Sequence, residues 1–261
     1  MKKALLDVLF ASEKRKSVLL TLQNDSARAE AILKSLNTTR QALLPQIRIL
    51  EDHHLISRHE DTYKLTTLGK LIVNKMAPLI DTLEVLEMDI DYWGTHNLDF
   101  IPASLLKKMN GLGKCDIINP AITDIHEFDN DFYERSKVSS SVFRVSTYFH
   151  PMYSTLYPIL MEHNVEIYLI ISQEVLDRLR DKPDPDFAKL LENDLFKLYV
   201  YPKKVNLLTF AYNDYYFFMH LFKDNGEIDQ KYILCSKPSA LEWGKELFEY
   251  YLKDSVPINE I

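Results

Sequence analysis

Residues 38–68 constrain the fold of this chain more than any other stretch. Leu43, Ile47 and Leu50 recur at spacings of four and three residues, which places them on one face of a helix. Most of the other positions are charged or polar, so the opposite face is expected to be exposed. The pattern predicts an amphipathic helix that packs one side against a core and offers the other side to a partner.

The N-terminal end of this helix carries signals of its own. Thr38 with Gln41 forms a capping-box pattern, in which side chains bond to the unpaired N–H groups of the first turn. Asn37 is suited to end the preceding helix in a left-handed conformation. Pro45 lies inside the helix, where it removes one backbone donor and should bend the axis.

Two short strands are expected after this helix and two further helices before it. Residues 55–58 and 62–65 can pair as two short strands around a turn at 59–61, and Tyr63 and Leu65 alternate with Lys64 as in a half-buried strand. Residues 5–22, broken near Ser12 by a new N-cap, and residues 27–36 have helical spacing. Three helices followed by a hairpin predict the winged form of the helix-turn-helix.

The third helix and the hairpin hold the side chains that suit DNA. Arginine reads guanine, glutamine reads adenine, an apolar group meets a thymine methyl, and basic residues of a wing hold phosphates. The predicted DNA-binding residues are Thr38, Thr39, Arg40, Gln41, Leu44 and Arg48 in the helix, with Arg58, His59 and Lys64 in the hairpin. The alternative is a winged helix that serves protein contacts only.

Charge is divided unequally along the chain. Residues 1–75 contain thirteen Lys and Arg and eight Asp and Glu, a net charge of +5. The chain totals of 31 basic and 38 acidic residues leave −12 for residues 76–261. A basic first part on an acidic chain fits an electrostatic footprint for DNA that is confined to one domain.

A second helical stripe follows the hairpin. Its apolar residues recur at alternating spacings of four and three, and they are Ile72, Met76, Leu79, Leu83, Leu86, Ile90 and Trp93. The heptad spacing predicts a dimerisation helix. Two copies would bring two recognition helices to the two half-sites of a palindromic operator. The alternative is that the same stripe packs inside its own chain.

From about residue 112 the pattern changes to strands that alternate with helices. Strands are expected at 116–119, 142–148, 165–172, 197–201, 207–212, 215–222 and 231–235, and helices at 123–136, 151–163, 173–180, 185–194 and 238–253. Ser239 with Glu242 predicts a capping box for the last helix. We therefore expect an α+β chain with a winged helix-turn-helix domain at 1–68, connecting and dimerisation helices at 69–111, and an α/β domain with a mixed sheet at 112–261.

The second domain shows no recognisable catalytic or metal-binding motif. It lacks a phosphate-cradling glycine loop, a nucleophile elbow and a zinc-spaced histidine pair, so no catalytic residue, cofactor or metal is expected. Polar and aromatic residues near strand ends could line a small-molecule pocket, with an arginine for an anionic group. The candidate effector-binding residues are Arg144, Tyr148, His150, Tyr153, Tyr212 and His220. The alternative is that these aromatics simply pack the sheet.

The two cysteines and the apolar runs indicate the compartment. Cys115 and Cys235 are too few for a zinc motif, and reduced thiols in a cytoplasm are expected, with a redox-sensing disulfide as the less favoured alternative. No run reaches the ~20 apolar residues of a membrane helix. Asp7 makes the N-terminus a poor signal peptide. We expect a cytoplasmic protein with no membrane partner.

The whole chain resembles archaeal winged-helix transcriptional regulators from methanogens, of the ArsR-like kind. In these proteins the winged helix is joined to a C-terminal domain named after a methanogenesis regulator. The resemblance rests on Leu5–Arg15, Leu43–Glu51, Tyr63–Gly69, Phe149–Tyr153 and the strand from Val165. It implies a dimeric, cytoplasmic, sequence-specific DNA-binding protein that controls methanogenesis or methyl-transfer genes. The second domain is also distantly similar to phospholipase-D-like sensor domains, but the sequence has no His-x-Lys motif.

Three functional hypotheses follow from these patterns. The leading one is a homodimeric regulator that binds double-stranded DNA and whose second domain senses a small effector or a signalling protein. Sensing would change the spacing of the two DNA-binding heads through the helix at 67–93. The others are an enzyme with an unrecognised C-terminal site and an adaptor that uses both domains for protein contacts.

Overall fold

The computed structural model describes residues 3–120 and 130–261, which form two units, Met1–Asp81 and Thr82–Ile261. The expected α+β class with a mixed sheet is confirmed. The unit boundary lies inside a helix that begins after the hairpin, whereas the sequence placed domain boundaries at residues 68 and 111.

The first unit contains four helices, a small sheet and the start of a long helix. Its elements are α1 (Leu5–Phe10), α2 (Glu13–Thr21), β1 (Ala27–Arg28), α3 (Ala29–Ser35), α4 (Arg40–Asp52), β2 (Ile56–His59), β3 (Thr62–Leu65) and α5 (Thr67–Leu86). Ser12 accepts the N–H of Arg15, as expected of a new N-cap. The sheet is antiparallel in the order β1-β3-β2, and β1 is too short to show any alternation in the sequence.

The start of α4 differs from the predicted capping box. Thr39, not Thr38, is the N-cap, and its Oγ1 accepts the N–H of Ala42 at 3.4 Å. Asn37 has the expected left-handed conformation, with φ 42°. Because Asn37 and Thr38 complete the turn out of α3, the helix begins one residue later than the capping pattern indicated. The helix then continues through Pro45 to Asp52.

The expected stripe of α4 lies in the core of the first unit. Leu43, Ile47 and Leu50 are buried. They share that core with residues of α1, α2, α3, the hairpin and α5, including Val8, Val18, Leu19, Ile32, Tyr63, Val73 and Met76. Each fully buried aliphatic side chain of this kind stabilises the fold by about 1.5–3 kcal/mol, so burial fixes which face of α4 remains exposed.

The predicted single helix through Trp93 is wrong. α5 ends at Leu86, and a separate helix, α6 (Ile90–Thr95), follows. Asp89 caps α6 by accepting the N–H of Tyr92 at 2.9 Å, and a capping aspartate starts a new helix because its oxygen replaces an intrahelical acceptor. The heptad spacing therefore runs across a turn and not along one continuous helix.

Two members of the predicted dimerisation stripe are buried inside their own chain. Met76 packs in the core of the first unit. Trp93 packs in the core of the second unit, where its Nε1–H donates to the carbonyl oxygen of Val85 at 3.0 Å. These two side chains therefore do not belong to an exposed face.

The second unit is built around an eight-stranded mixed sheet. Its further elements are α7 (Ala103–Leu106), a 3-10 turn (Met109–Leu112), β4 (Asp116–Ile118), α8 (Asn130–Ser136), β5 (Ser141–Ser146), α9 (Tyr153–Glu162), β6 (Glu166–Ser172), α10 (Gln173–Asp181), α11 (Pro185–Leu190), β7 (Phe196–Tyr201), β8 (Thr209–Tyr212), β9 (Phe217–His220), β10 (Tyr232–Cys235), α12 (Pro238–Leu252) and β11 (Val256–Ile258). The strand order is β11-β7-β6-β5-β8-β9-β10-β4. Strands β5, β6 and β7 are parallel, and the other pairs are antiparallel.

Each face of this sheet is covered by its own set of helices. Helices α8 to α11 pack on one face, with Tyr157 and Phe187 in that core. Helix α12 and the segment after α5 pack on the other, with Trp243 and Phe248. Most predicted strands and helices are found within a few residues of their expected ends, but residues 123–129 of the predicted helix at 123–136 lie outside the described residues.

Two local predictions in the second unit are wrong. Lys237 is the N-cap of α12 and Pro238 occupies the first turn, so Ser239 and Glu242 do not form the expected capping box. Proline is pre-shaped for the first turn of a helix, and the N-cap therefore lies two residues before Ser239. The edge strand β11 was not predicted.

The expected reduced cysteines are instead paired. Cys115 and Cys235 form a disulfide across a sequence separation of 120 residues. The antiparallel register of β4 and β10 places Asp116 opposite Leu234, so the two cysteines meet as cross-strand neighbours. Only the long-range pairing of the two strands, which periodicity does not show, brings them together.

None of the helices in the described parts of the chain has both the length and the apolar character needed to cross a membrane.

Gly69 should be irreplaceable where the hairpin meets α5. A Cβ built at this position would lie 2.0 Å from the carbonyl oxygen of Leu55, which already accepts the N–H of Thr66. Gly69→Ala should lower the free energy of unfolding by about 3 kcal/mol, because the helix must move away from the hairpin.

The matched control for this substitution is Gly94→Ala. Gly94 also lies in a helix, and a Cβ there meets nothing within 4 Å. Alanine should leave stability unchanged or raise it by up to ~1 kcal/mol. Urea unfolding followed by circular dichroism measures both variants, and equal stability of the two would contradict the close approach at Gly69.

Candidate nucleic-acid interface

The exposed face of α4 carries most of the predicted base-reading residues. Arg40, Gln41 and Arg48 are exposed, and Leu44 beside them is half-buried. Pro45 also lies on this exposed face and was not predicted as part of it. Because proline has no N–H, it cannot bond to the carbonyl oxygen of Gln41, the residue four positions earlier.

An ion pair connects the start of α4 with the turn of the wing. Arg40 Nη2 lies 3.8 Å from Asp61 Oδ1, and the two side chains are 59% and 50% exposed. The backbone carbonyl of Asp61 also accepts the N–H of Ala29 at 3.0 Å. An exposed pair of this kind is worth at most about 1 kcal/mol, so Arg40 can exchange Asp61 for a nucleic-acid acceptor at little cost.

The wing presents basic residues from a shaped turn. Arg58 Nε–H donates to the carbonyl oxygen of Glu60 at 2.5 Å, and the guanidinium lies 5.7 Å from the ring centroid of Tyr63. Glu60 has a left-handed conformation with φ 53°. Arg58 therefore stabilises the turn as well as adding charge. The other two predicted wing residues, His59 and Lys64, are exposed.

Arg15 has a structural role that the sequence analysis did not predict. It counted toward the positive charge of the first domain, yet its side chain is buried. Its guanidinium donates to the carbonyl oxygens of Val8 (2.6 Å) and Asp7 (2.8 Å) and to Gln46 Oε1 on α4 (2.6 Å). Arg15 thus connects α1 and α2 to α4 and orients that helix.

A signal for this role was present in the sequence. Arg15 precedes Val18, Leu19 and Leu22 by three, four and seven residues, so it shares their helix face. Those three residues are buried in the core of the first unit.

Arg144, on β5, is the central residue of the predicted effector site. It is buried on the sheet face that α8 and α9 cover. Its guanidinium carbon lies 5.6 to 5.8 Å from the ring centroids of Phe132, Tyr153 and Phe218, and Nη1 donates to Thr209 Oγ1 at 3.4 Å. A cation among aromatic rings is attracted by their negative faces.

Three further predicted effector residues lie beyond the end of β5. The ring of His150 is 6.0 Å from that of Tyr148 and 5.7 Å from that of Tyr153, whose hydroxyl donates to Ser146 Oγ at 3.4 Å. Tyr148 and His150 are half-buried. Burial raises the pKa of the Tyr148 hydroxyl well above its usual range, so this group remains a neutral donor.

The last two predicted effector residues are not part of this group. Tyr212 stacks on Phe143 at 4.6 Å, on the opposite face of the sheet from Arg144. His220 Nε2 lies 2.5 Å from the carbonyl oxygen of Asp229, and burial lowers the pKa of its imidazole. The structure therefore brings together Arg144, Tyr148, His150 and Tyr153, while their role stays a prediction.

In the described ranges, 3–120 and 130–261, no group of three or more His, Cys, Asp and Glu side chains is arranged to hold a metal ion.

Comparisons with known proteins match both parts of the chain. The family described as HVO_A0261 N-terminal domain matches residues 4–87, and the family described as methanogenesis regulatory protein FilR1, middle domain, matches residues 125–254. The chain is 27% identical over 263 residues to Methanogenesis regulatory protein FilR1 of Methanothrix harundinacea strain 6Ac. Both parts of the chain are therefore similar to archaeal transcription regulators of the FilR1 kind.

The alignment with this relative covers 97% of the chain but 58% of the relative. The chain therefore spans less than two thirds of the length of the protein it matches. Among solved structures, the archaeal chromatin protein TrmBL2 is 15% identical over 97% of both chains, with a TM-score of 0.43. The methyltransferase CalO1 is 12% identical over 74% of this chain and 62% of its own, with a TM-score of 0.24. Scores this low carry no argument about function.

An apolar face of α5 is exposed. Leu79 and Leu83, both from the predicted stripe, are 49% and 42% exposed. Leu68 and Leu71 are also exposed and were not predicted; their positions share a helix face with Leu79 and Leu83. The other predicted residues outside the cores are Ile72 and Leu86, which are half-buried, and Ile90, which is exposed on α6.

Arg15 should be essential to the stability of the first unit, although it is one basic residue among several. Arg15→Ala should lower the free energy of unfolding by on the order of 3 kcal/mol, because it leaves the buried carbonyl oxygen of Val8 and the partly buried one of Asp7 without their charged donor. Lys14→Ala is the matched control, since Lys14 is its exposed neighbour on α2 and should change stability by less than about 0.5 kcal/mol. Chemical unfolding measures the stability of both variants. An Arg15→Ala variant as stable as Lys14→Ala would refute the role of Arg15 in orienting α4.

Proposed function

We propose that this chain is a transcription regulator of the FilR1 kind that binds double-stranded DNA through α4 and the wing. The exposed face with Arg40, Gln41 and Arg48, next to a basic wing, is the observation that carries this proposal. The name of its relative, Methanogenesis regulatory protein FilR1, supports genes of methanogenesis as the targets. The protein acts in the cytoplasm, where this DNA is found.

The two parts of the interface have different tasks in the proposed complex. Residues of α4 enter the major groove, where Arg40 and Arg48 read guanine and Gln41 reads adenine. Thr38, Thr39 and Leu44 flank them at the helix start and beside its centre. Arg58, His59 and Lys64 hold the DNA backbone, which gives affinity without sequence information.

Substitutions in the helix and in the wing should therefore have different effects. Arg40→Ala should weaken specific binding by about 1–3 kcal/mol and relax the preference at one base pair. Lys64→Ala should weaken binding to all sequences alike and reduce the salt slope by about 1. Fluorescence anisotropy on DNA from upstream of the protein's own gene and on scrambled DNA, across a salt series, measures both effects.

The matched control is Lys182→Ala, which removes an exposed lysine from the second unit. This variant should bind like the unaltered protein. Equal loss on specific and scrambled DNA for Arg40→Ala would disprove the base contact. Weak and equal binding of the unaltered protein to the two DNAs, even at low salt, would count against the regulator itself.

The proposed regulator is a homodimer that pairs through the exposed leucines of α5. A helix face with Leu68, Leu71, Leu79 and Leu83 in water is unfavourable for a lone chain, and a second copy would bury it. A two-fold dimer would also match a palindromic operator, with one recognition helix in each half-site.

Charge on this face should separate the two copies. Leu79→Glu combined with Leu83→Glu should shift the protein toward monomer in sedimentation velocity, because a dimer would have to bury two carboxylates on each side. Ile228→Glu is the matched control, since Ile228 is an exposed apolar residue in the second unit. If the double variant and the control sediment alike, the dimer does not use α5.

The second unit is proposed to act as a sensor, without a catalytic role. Arg144 and Tyr153 lie close together at the end of β5, with Tyr148 and His150 half-buried beside them. A guanidinium and neutral phenols suit a small anionic effector with an aromatic or apolar body. A signalling protein is the alternative source of the signal.

A further inference from the structure

The disulfide lies where an edge strand joins the rest of the second unit. Cys115 immediately precedes β4, the outermost strand on its side of the sheet, and Cys235 ends β10. Both residues are buried. Only three residues of β4 pair with β10, so the covalent bond is a large part of what holds this strand.

The segment that precedes Cys115 also packs against the side chain of Lys237, which follows Cys235. Gly113 has φ 61°, and a Cβ on it would lie 2.5 Å from Cδ of Lys237. This glycine permits the close approach of residues 113–115 to residues 235–237. The two sulfurs are therefore held next to each other by the fold and not by the bond alone.

The same segment contacts the turn that follows α5. The N–H of Cys115 donates to Met88 Sδ at 3.2 Å. Met88 lies between the end of α5 at Leu86 and the start of α6 at Ile90. Val85 and Trp93, on either side of this turn, pack in the same core as Cys115 and Cys235. The disulfide thus stands next to the residues that hold the end of α5 in the second unit.

The structure also accommodates the reduced state. The carbonyl oxygens of Leu112 and Gly113 lie 3.4 and 3.6 Å from Cys115 Sγ. A thiol at Cys115 could donate to either oxygen, so reduction leaves the new S–H with an acceptor. Cys235 is surrounded by apolar side chains, where a neutral thiol is tolerated.

We propose that Cys115 and Cys235 form a reversible redox switch that orders the end of α5. In the oxidised state the bond fixes β4, and through Met88 it fixes the turn after α5. In the reduced state this segment loosens, and, resting on the proposed function, the affinity for operator DNA falls.

The reductant is a protein dithiol of the thioredoxin kind. One of its thiolates attacks a sulfur of the disulfide, the S–S bond breaks, and the departing sulfur takes up a proton. Its second thiolate then attacks the mixed disulfide and releases the other cysteine as a thiol. Two electrons and two protons pass to Cys115 and Cys235, and the reductant leaves as a disulfide.

Access to the buried sulfurs comes from the edge strand. Because β4 is three residues long and, among the described residues, pairs with a strand on one side only, it can open locally without unfolding of the sheet. Such opening exposes the bond to a protein thiol and closes again after exchange.

Hydrogen exchange of the full chain in both redox states tests the switch. The states are prepared with a dithiol reductant or a disulfide oxidant in the absence of denaturant, and they are verified by the mass added on alkylation. Amides of residues 86–95 and 115–118 should exchange at least about tenfold faster after reduction, while those of α2 and α4 should not change. Specific DNA affinity should fall by about five- to tenfold or more in the same samples.

Two variants sharpen the test. Met88→Leu keeps the apolar volume and the disulfide but removes the sulfur acceptor. In this variant, reduction should no longer speed the amide exchange of residues 86–90, but it should still speed that of residues 115–118. Cys115→Ala with Cys235→Ala should exchange and bind DNA identically under both conditions. If the double variant does not fold, the comparison of the oxidised and reduced unaltered protein still tests the switch.

Identical exchange in the two states, or reduction only under denaturing conditions, would overturn the switch and leave a purely structural cross-link. A change in exchange with unchanged specific DNA affinity would overturn the control of binding. Absence of specific DNA binding in both states would be a failure of the proposed function, and the exchange data would then judge the switch alone.

Discussion

Burial of one face of α4 is the constraint on which the candidate interface depends. Because Leu43, Ile47 and Leu50 must face the core, Arg40, Gln41 and Arg48 are left to face solvent. Hydrophobic burial fixes the rotation of the helix but is not directional. The charged hydrogen bonds of Arg15 add direction, since they tie α1 and α2 to Gln46 at one position along α4. Nonspecific burial of the apolar stripe and specific hydrogen bonds from Arg15 thus act together to position α4.

Sequence signals within a single segment predicted most helices and strands, whereas features that depend on distant segments were not predicted. Ser12 and Asn37 act through their own side chain or backbone conformation, so the sequence alone revealed the ends of two helices. Asp89 was missed because its capping oxygen interrupts a heptad spacing that continues on both sides. The pairing of Cys115 with Cys235 was missed because it depends on which strands become neighbours, a property of the whole sheet.

The candidate sites show the same division. Positions on α4 could be assigned from helical spacing, because the angle between residues of one helix is fixed. The proposed effector residues span several strands, and their grouping depends on register. Phe143 and Arg144 are adjacent in sequence but point to opposite faces of β5. Tyr212 pairs with Phe143 and stacks on its ring, so it lies on the face away from Arg144. The burial of Arg15 could likewise be read from helical spacing, since Arg15 shares the face of Val18, Leu19 and Leu22, whereas its partners on α1 and α4 could not.

The position of β4 has a consequence for synthesis of the chain. In the first unit, and among the parallel strands β5, β6 and β7, the segments that pair leave the ribosome soon after one another. β4 leaves earlier, but its partner β10 is made much later, with Cys235 120 residues behind Cys115. Every newly made copy therefore carries Cys115 as an unpaired thiol until Cys235 has also been made, and the redox conditions at that moment decide whether the disulfide forms first or the two thiols persist.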